Sequence, residues 1–149
     1  MNEEASNFEK KLEPFQGDFA HFTEIGFTAV KHSRAKDATS LFRAAEVLRP
    51  THPLPVIGYG DIALCQMQTG LAKHIFENVL KKYPENLLAQ MFLGIAHAAT
   101  KKDDEVLKAE ELIKDALGKS EDPAIKNLGE VSLKWIEHDL KAKKSTPLA

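Results

Sequence analysis

The side chains that most often bind metals or act as nucleophiles are few and widely separated in this chain. There is one cysteine, Cys65, and the six histidines are His21, His32, His52, His74, His97 and His138. Zinc-binding histidines usually occur a few residues apart, and no two of these are that close. No histidine, lysine or arginine stands next to Cys65 in the sequence to activate its thiol. We therefore expect no enzyme active site, no metal site and no bound cofactor.

Length and composition exclude further classes of function. The chain has 149 residues and a formal charge of −2, which fits one domain and gives no electrostatic reason to bind nucleic acid. A single cysteine cannot form an internal disulfide, so a reducing compartment is favoured. The acidic, polar N-terminus lacks the apolar segment of a secretory signal. The apolar stretches 54–65 and 87–99 are shorter than the roughly 20 residues that span a bilayer. We expect a cytoplasmic protein without stable membrane insertion.

Four residue types recur along the chain with a spacing of 34 residues. They are Gly26, Gly60 and Gly94; Ala38 and Ala72; Phe42 and Phe76; and Pro50 and Pro84. A glycine inside a helix costs about 1 kcal/mol relative to alanine, so its recurrence indicates close approach of a neighbouring helix. The alanine and the phenylalanine one turn later are predicted to fill that contact, and the proline to end the second helix. Each repeat is therefore predicted to be a helical hairpin.

The spacing and these residues resemble the tetratricopeptide repeat. The resemblance implies an all-α fold, a tetratricopeptide-like α-solenoid of three helical hairpins followed by a C-terminal capping helix. In the third unit Ala109, Ile113 and Ala116 fit the second-helix pattern three residues late, which predicts a solvent-facing loop insertion at 101–105. An N-terminal segment at 1–18 is predicted to be either a short helix or mobile. One domain is predicted at 19–144, with repeats at about 19–52, 53–86 and 87–122 and the capping helix at about 123–143. A flexible tail is predicted at 145–149.

The first helix of each repeat is the predicted binding surface. In tetratricopeptide proteins these helices line a concave groove, and the resemblance implies that Glu24, Lys31 and Asp61 point into it together with apolar residues. The apolar groove residues are Phe27, Val30, Leu54, Ile57, Leu64, Leu88, Met91, Phe92 and Ile95. Members of the family that grip acidic chaperone tails place basic residues and asparagine here, so such a clamp is not expected. Three groove helices spaced about 8 to 10 Å apart suit an apolar or amphipathic helix of roughly 15 to 20 residues.

Size, repeat number and groove character resemble the small tetratricopeptide chaperones of bacterial type III secretion. That resemblance implies a non-enzymatic chaperone that holds a helix of a needle subunit, with a co-chaperone as a further partner, and prevents premature assembly. A chaperone of the membrane-inserting translocators is the alternative within the family. A scaffold or adaptor in a stable complex is the alternative from another class. The groove could also be covered by the chain's own Phe8, Leu12 and Phe15 or by a second copy in a homodimer.

Overall fold

The computed structural model describes residues 3–142, and every regular element in that range is helical. The predicted all-α class is therefore confirmed. The helices are α1 (Glu3–Leu12), a 3-10 turn (Glu13–Phe15), α2 (Asp18–Lys31), α3 (Ala35–Leu48), α4 (Leu54–Cys65), α5 (Thr69–Lys82), α6 (Leu87–Ala99), α7 (Asp103–Lys119), α8 (Pro123–Trp135) and a π-helical turn (Ile136–Lys141). The predictions of a flexible tail at 145–149 and of a capping helix reaching 143 lie outside the described residues.

Helices that follow each other in the chain pack side by side. The contacts between α2 and α3, α4 and α5, and α6 and α7 form three hairpins. We call α2, α4, α6 and α8 the first layer, because each contacts the next along the series. The second layer, α3, α5 and α7, lies against first-layer helices on both sides, since each of its members also contacts the helix that follows it.

The turns inside the three hairpins share one backbone conformation. Ser33, Met67 and Lys101 have φ near +60°, a left-handed conformation that is uncommon for residues other than glycine. They stand 34 residues apart. The turn is thus a fifth position that recurs with this spacing, but it holds a different residue type each time. The third turn keeps the spacing, so the extra residues of the third hairpin come after Lys101.

Each recurring glycine of the first layer lies against a side chain of the second layer. A Cβ atom at Gly26 would come within 2.6 Å of the Phe42 ring, and one at Gly60 within 2.4 Å of the Phe76 ring. Gly94 meets Ile113 in the same way, at 2.7 Å. All the predicted second-helix contact residues are fully buried: Ala38, Phe42, Ala72, Phe76, Ala109, Ile113 and Ala116. The prediction that glycine permits close helix packing is confirmed.

The predicted loop at 101–105 is wrong for its second half. Helix α7 begins at Asp103 and has 17 residues, against 14 in α3 and in α5. The three extra residues thus lengthen the helix. Its first turn contains Asp103, Asp104 and Glu105, and carboxylates are favourable at a helix N-terminus because they oppose the positive end of the helix dipole.

Glu105 is not turned toward solvent but joins three helices. Its carboxylate accepts a hydrogen bond from the Lys73 ammonium of α5 at 3.2 Å and is hydrogen-bonded to the imidazole Nδ1 of His97 on α6. The Glu105 side chain is 16% exposed. The bonds to His97 and Lys73 lower the pKa of Glu105 below its ordinary value. This cluster fastens the first turn of α7 to α6 of its own hairpin and to α5 of the preceding hairpin.

The C-terminal elements cover the end of the third hairpin. Ile136 is fully buried, and Leu133 and Leu140 pack against the same cluster. Gly129 of α8 lies against Leu117, whose Cδ2 would be 2.7 Å from an added Cβ. In the range 3–142, no helix has the length and apolar character needed to cross a membrane.

The glycine contact predicts opposite effects of alanine at two helical glycines. We expect Gly60→Ala to lower the free energy of unfolding by about 1 to 3 kcal/mol, because its Cβ would come within 2.4 Å of the fully buried Phe76 ring. Gly70→Ala on α5 has no atom within 4 Å of its Cβ, so it should be neutral or stabilising by up to about 1 kcal/mol. Urea unfolding measures both. Equal tolerance of the two changes would contradict the contact.

The ion cluster predicts a pH-dependent contribution to stability. Because the pKa of Glu105 is lowered in the folded state, its contribution is complete above the ordinary value of 4.5 and is lost as the pH falls below it. Glu105→Gln should therefore destabilise the protein by about 1 to 3 kcal/mol at pH 7, and the difference from wild type should shrink below pH 4.5. The exposed Glu77→Gln is the control. A difference that is constant with pH would exclude this role of the carboxylate.

Candidate functional site

The structure divides the nine predicted groove residues into two groups. Val30, Ile57 and Met91 are buried in the core, with exposures of 5%, 0% and 0%. The expectation that these three side chains face an open groove is wrong, because each is enclosed between helices of the two layers. The other six are only partly buried and keep part of their surface accessible. They are Phe27, Leu54, Leu64, Leu88, Phe92 and Ile95, and we call them the apolar strip.

Three neighbouring first-layer helices carry the apolar strip. Phe27 belongs to α2, Leu54 and Leu64 to α4, and the others to α6. Each side chain packs against a buried core cluster; the Phe92 ring, for example, stacks on Phe76 with centroids 5.5 Å apart. Because the underlying core fixes these side chains, the strip is a preformed surface.

The apolar character of α4 and α6 has a second cause besides the strip. Helix α4 contacts α2, α3, α5 and α6, and helix α6 contacts α4, α5, α7 and α8. Helices covered on several sides need apolar residues around most of their circumference. Many of the apolar residues that suggested a broad apolar groove therefore belong to the core. The accessible apolar surface is smaller than the sequence predicted.

Asp61 is a charged residue on the middle one of the three helices that carry the strip. It lies on α4, one turn from Ile57 and one turn from Leu64, and it is half-buried. Burial raises the pKa of Asp61 to about 6, while its hydrogen bond with Cys65 and the charge of Lys31 act in the opposite direction. The resemblance implies that Asp61 faces the groove, but Asp61 is not one of the nine predicted apolar groove residues. The signal was present, because it is the one charged residue in an otherwise apolar helix.

Cys65 lies one turn beyond Asp61 and is exposed. Its Sγ is 3.8 Å from Asp61 Oδ1. Partial burial of the sulfur raises the pKa of the Cys65 thiol, and the neighbouring carboxylate raises it further. A nucleophilic cysteine needs the opposite environment, with positive charge that stabilises the thiolate.

The histidines do not converge on one another. His52 packs against Phe19 with tilted rings whose centroids are 4.7 Å apart. His74 is hydrogen-bonded to Asn78, and His97 to Glu105. Across residues 3–142, no three histidine, cysteine, aspartate or glutamate side chains come together as a metal site.

The N-terminal helix does not cover the apolar strip in this structure. Helix α1 lies beside the C-terminal end of α3, where the two form a crevice of about 650 Å³ that includes Val47, Leu48 and Pro50. No residue of the strip lines this crevice. Phe8 and Phe15 are 55% and 53% exposed. The covering of the groove by Phe8, Leu12 and Phe15 is therefore not the arrangement observed.

Comparison with known proteins adds no relative to this description. No family model, no curated protein and no solved structure matches the chain.

The environment of Cys65 predicts a slow reaction with alkylating reagents. At pH 8 we expect iodoacetamide to modify Cys65 more slowly than a cysteine in an unstructured peptide, because the raised pKa leaves less thiolate. Asp61→Asn removes the nearby negative charge and should speed the reaction, while partial burial keeps the pKa above the ordinary value. Mass spectrometry of timed samples measures the rates. Alkylation of the wild type faster than the peptide would contradict this environment.

Proposed function

We propose that this chain is a non-enzymatic, tetratricopeptide-like binding protein that holds an apolar or amphipathic helix of another protein on its first-layer face. The observation that carries the proposal is the apolar strip, whose six side chains keep accessible surface across three adjacent helices. An amphipathic helix laid in an apolar groove is a common mode of peptide recognition. The recurring glycine contacts and left-handed turns support a repeat of tetratricopeptide type.

The dimensions of the strip favour a helical ligand. Neighbouring packed helices lie about 8 to 10 Å apart, so α2, α4 and α6 span roughly 20 Å. A ligand helix of about 13 residues has that length at 1.5 Å per residue. Its apolar side chains at intervals of three and four residues would rest on the strip.

The role that we assign to this binding is that of a chaperone. A helix that is apolar on one face aggregates or polymerises while that face is uncovered, and a bound strip removes the face from water. We propose a secretion client handled in the cytoplasm, of which a type III needle subunit with its co-chaperone is the first candidate and a translocator the second. The scaffold role differs in one property: the partner of a scaffold is soluble by itself.

Two leucine substitutions test the binding surface. Leu88→Glu places a charge on the strip near the N-terminus of α6, and Leu71→Glu places one near the N-terminus of α5, where Leu71 is 50% exposed. Both positions tolerate glutamate in the helix because of the helix dipole. We expect both variants to fold and only Leu88→Glu to lose the partner that the wild type captures from its native cytoplasm.

The captured protein then distinguishes the two roles. Expressed alone, a chaperone client should be insoluble or polymerise, and coexpression with the wild type should keep it soluble. A partner that is soluble by itself would favour the scaffold role. Equal capture by wild type and Leu88→Glu would show that the apolar strip is not the binding surface.

A further inference from the structure

Asp61 is a charged group in a place where charge is costly. It lies in the middle of α4, which itself lies between α2 and α6 in the first layer. Ile57 precedes it by one turn and Leu64 follows it by one turn. Transfer of a carboxylate from water to a partly apolar site is unfavourable unless the charge is paired. Such a residue in the centre of an apolar surface calls for a compensating partner.

The chain itself supplies little compensation. The hydrogen bond that Asp61 makes is with the Sγ of Cys65, at 3.8 Å, and a thiol is a weak donor. Lys31 of α2 acts on the carboxylate through its charge, but within residues 3–142 no cationic nitrogen lies within the 4.0 Å of an ion pair with Asp61. Lys31 is exposed, so water screens its effect.

The strip residues on the two neighbouring helices are apolar. On the α2 side the strip contributes Phe27, and on the α6 side Leu88 and Ile95. Apart from His97, helix α6 carries no titratable residue, and the imidazole of His97 is bonded to Glu105. A ligand helix that covers the strip would therefore remove Asp61 from water without giving it a partner, unless the ligand brings one.

We propose that the ligand helix carries a lysine or arginine within its apolar face, and that this residue pairs with Asp61 at the centre of the strip. The inference rests on the proposed function and adds the chemistry of the partner. Long basic side chains suit this position because their methylene stems pack on apolar surface while the charged end reaches a carboxylate. A ligand with an uninterrupted apolar face would leave Asp61 buried and unpaired, and so would be discriminated against.

A peptide selection tests this pairing. The probe is a phage-displayed library of amphipathic 18-residue helices, in which one central position of the apolar face is randomised. The library is selected separately on wild type, Asp61→Asn, Asp61→Lys and Leu88→Glu, each shown to fold by circular dichroism. We expect lysine and arginine to be enriched on wild type, no basic preference on Asp61→Asn, and aspartate or glutamate on Asp61→Lys. If Asp61→Lys does not fold, the comparison with Asp61→Asn decides the question.

A selected peptide provides the quantitative measurement. Fluorescence anisotropy should give binding to Asp61→Asn that is about tenfold weaker than to wild type, as expected for loss of a charge-assisted bond. The same peptide with norleucine in place of its lysine should bind Asp61→Asn more tightly than wild type, because in wild type it would leave the Asp61 carboxylate buried and unpaired. Binding of the basic peptide that is unchanged by Asp61→Asn would overturn the pairing.

The affinity should also depend on pH in a defined direction. The pKa of Asp61 in the free protein is about 6, and a bound cation lowers it, so affinity is highest above that pH and falls as the pH decreases through 6. Lys31 and Cys65 are the other titratable groups that act on Asp61, and the raised pKa of the Cys65 thiol keeps it protonated in this range. Asp61→Asn should show no such fall. An equal pH dependence in both proteins would overturn the assignment to Asp61.

The outcomes separate this inference from the proposed function. Peptides that need Leu88 but show no basic preference would overturn the pairing and leave the strip as the binding surface. If no peptide binds in a Leu88-dependent way, both proposals fail. Light scattering tests whether a second copy of the chain occupies the strip. A wild-type dimer that Leu88→Glu dissociates would show that it does.

Discussion

The contact between a glycine of the first layer and a bulky side chain of the second layer determines how closely the two layers approach. At Gly26 and Gly60 the rings of Phe42 and Phe76 occupy space that any larger residue would need. The Phe42 ring is also within 2.4 Å of the place that a Cβ of Gly58 would take, so one ring joins two successive hairpins. Truncation of such a ring costs about 3 to 5 kcal/mol. Each glycine in a helix costs about 1 kcal/mol relative to alanine, and this packing offsets that cost.

The packing of the helices also determines which side chains of the first layer stay accessible. Because other helices contact α4 and α6 on several sides, part of their apolar surface is buried. The partly accessible residues include the apolar strip and Asp61. An apolar surface attracts any amphipathic helix of suitable length, whereas a half-buried carboxylate distinguishes among such helices by charge. Affinity and selectivity would thus come from different residues of one surface.

The ion cluster around Glu105 shows how the third hairpin differs without losing its contacts. Three additional residues lengthen α7 at its start, and Ile113 takes the place that phenylalanine has in the first two hairpins. The extension brings Glu105 to Lys73 and His97. Acidic residues that looked like a solvent-facing loop therefore include one that ties α5, α6 and α7 together.

The amino-acid sequence by itself determined the helical class, the hairpin period and the identity of the buried contact residues. These features follow from local spacing. The fixed intervals between a glycine, an alanine and an aromatic residue indicate which faces of two adjacent helices meet. Only the tertiary structure decided which apolar residues stay accessible. Val30, Ile57 and Met91 have the same apolar character as Phe27, Leu54 and Ile95, and their burial depends on neighbours from other hairpins. The partners of Glu105 could not be predicted from the sequence either, since one of them lies 32 residues away in the chain. Periodicity assigns a residue to a face of its helix, but its exposure is set by how many other helices pack against that face.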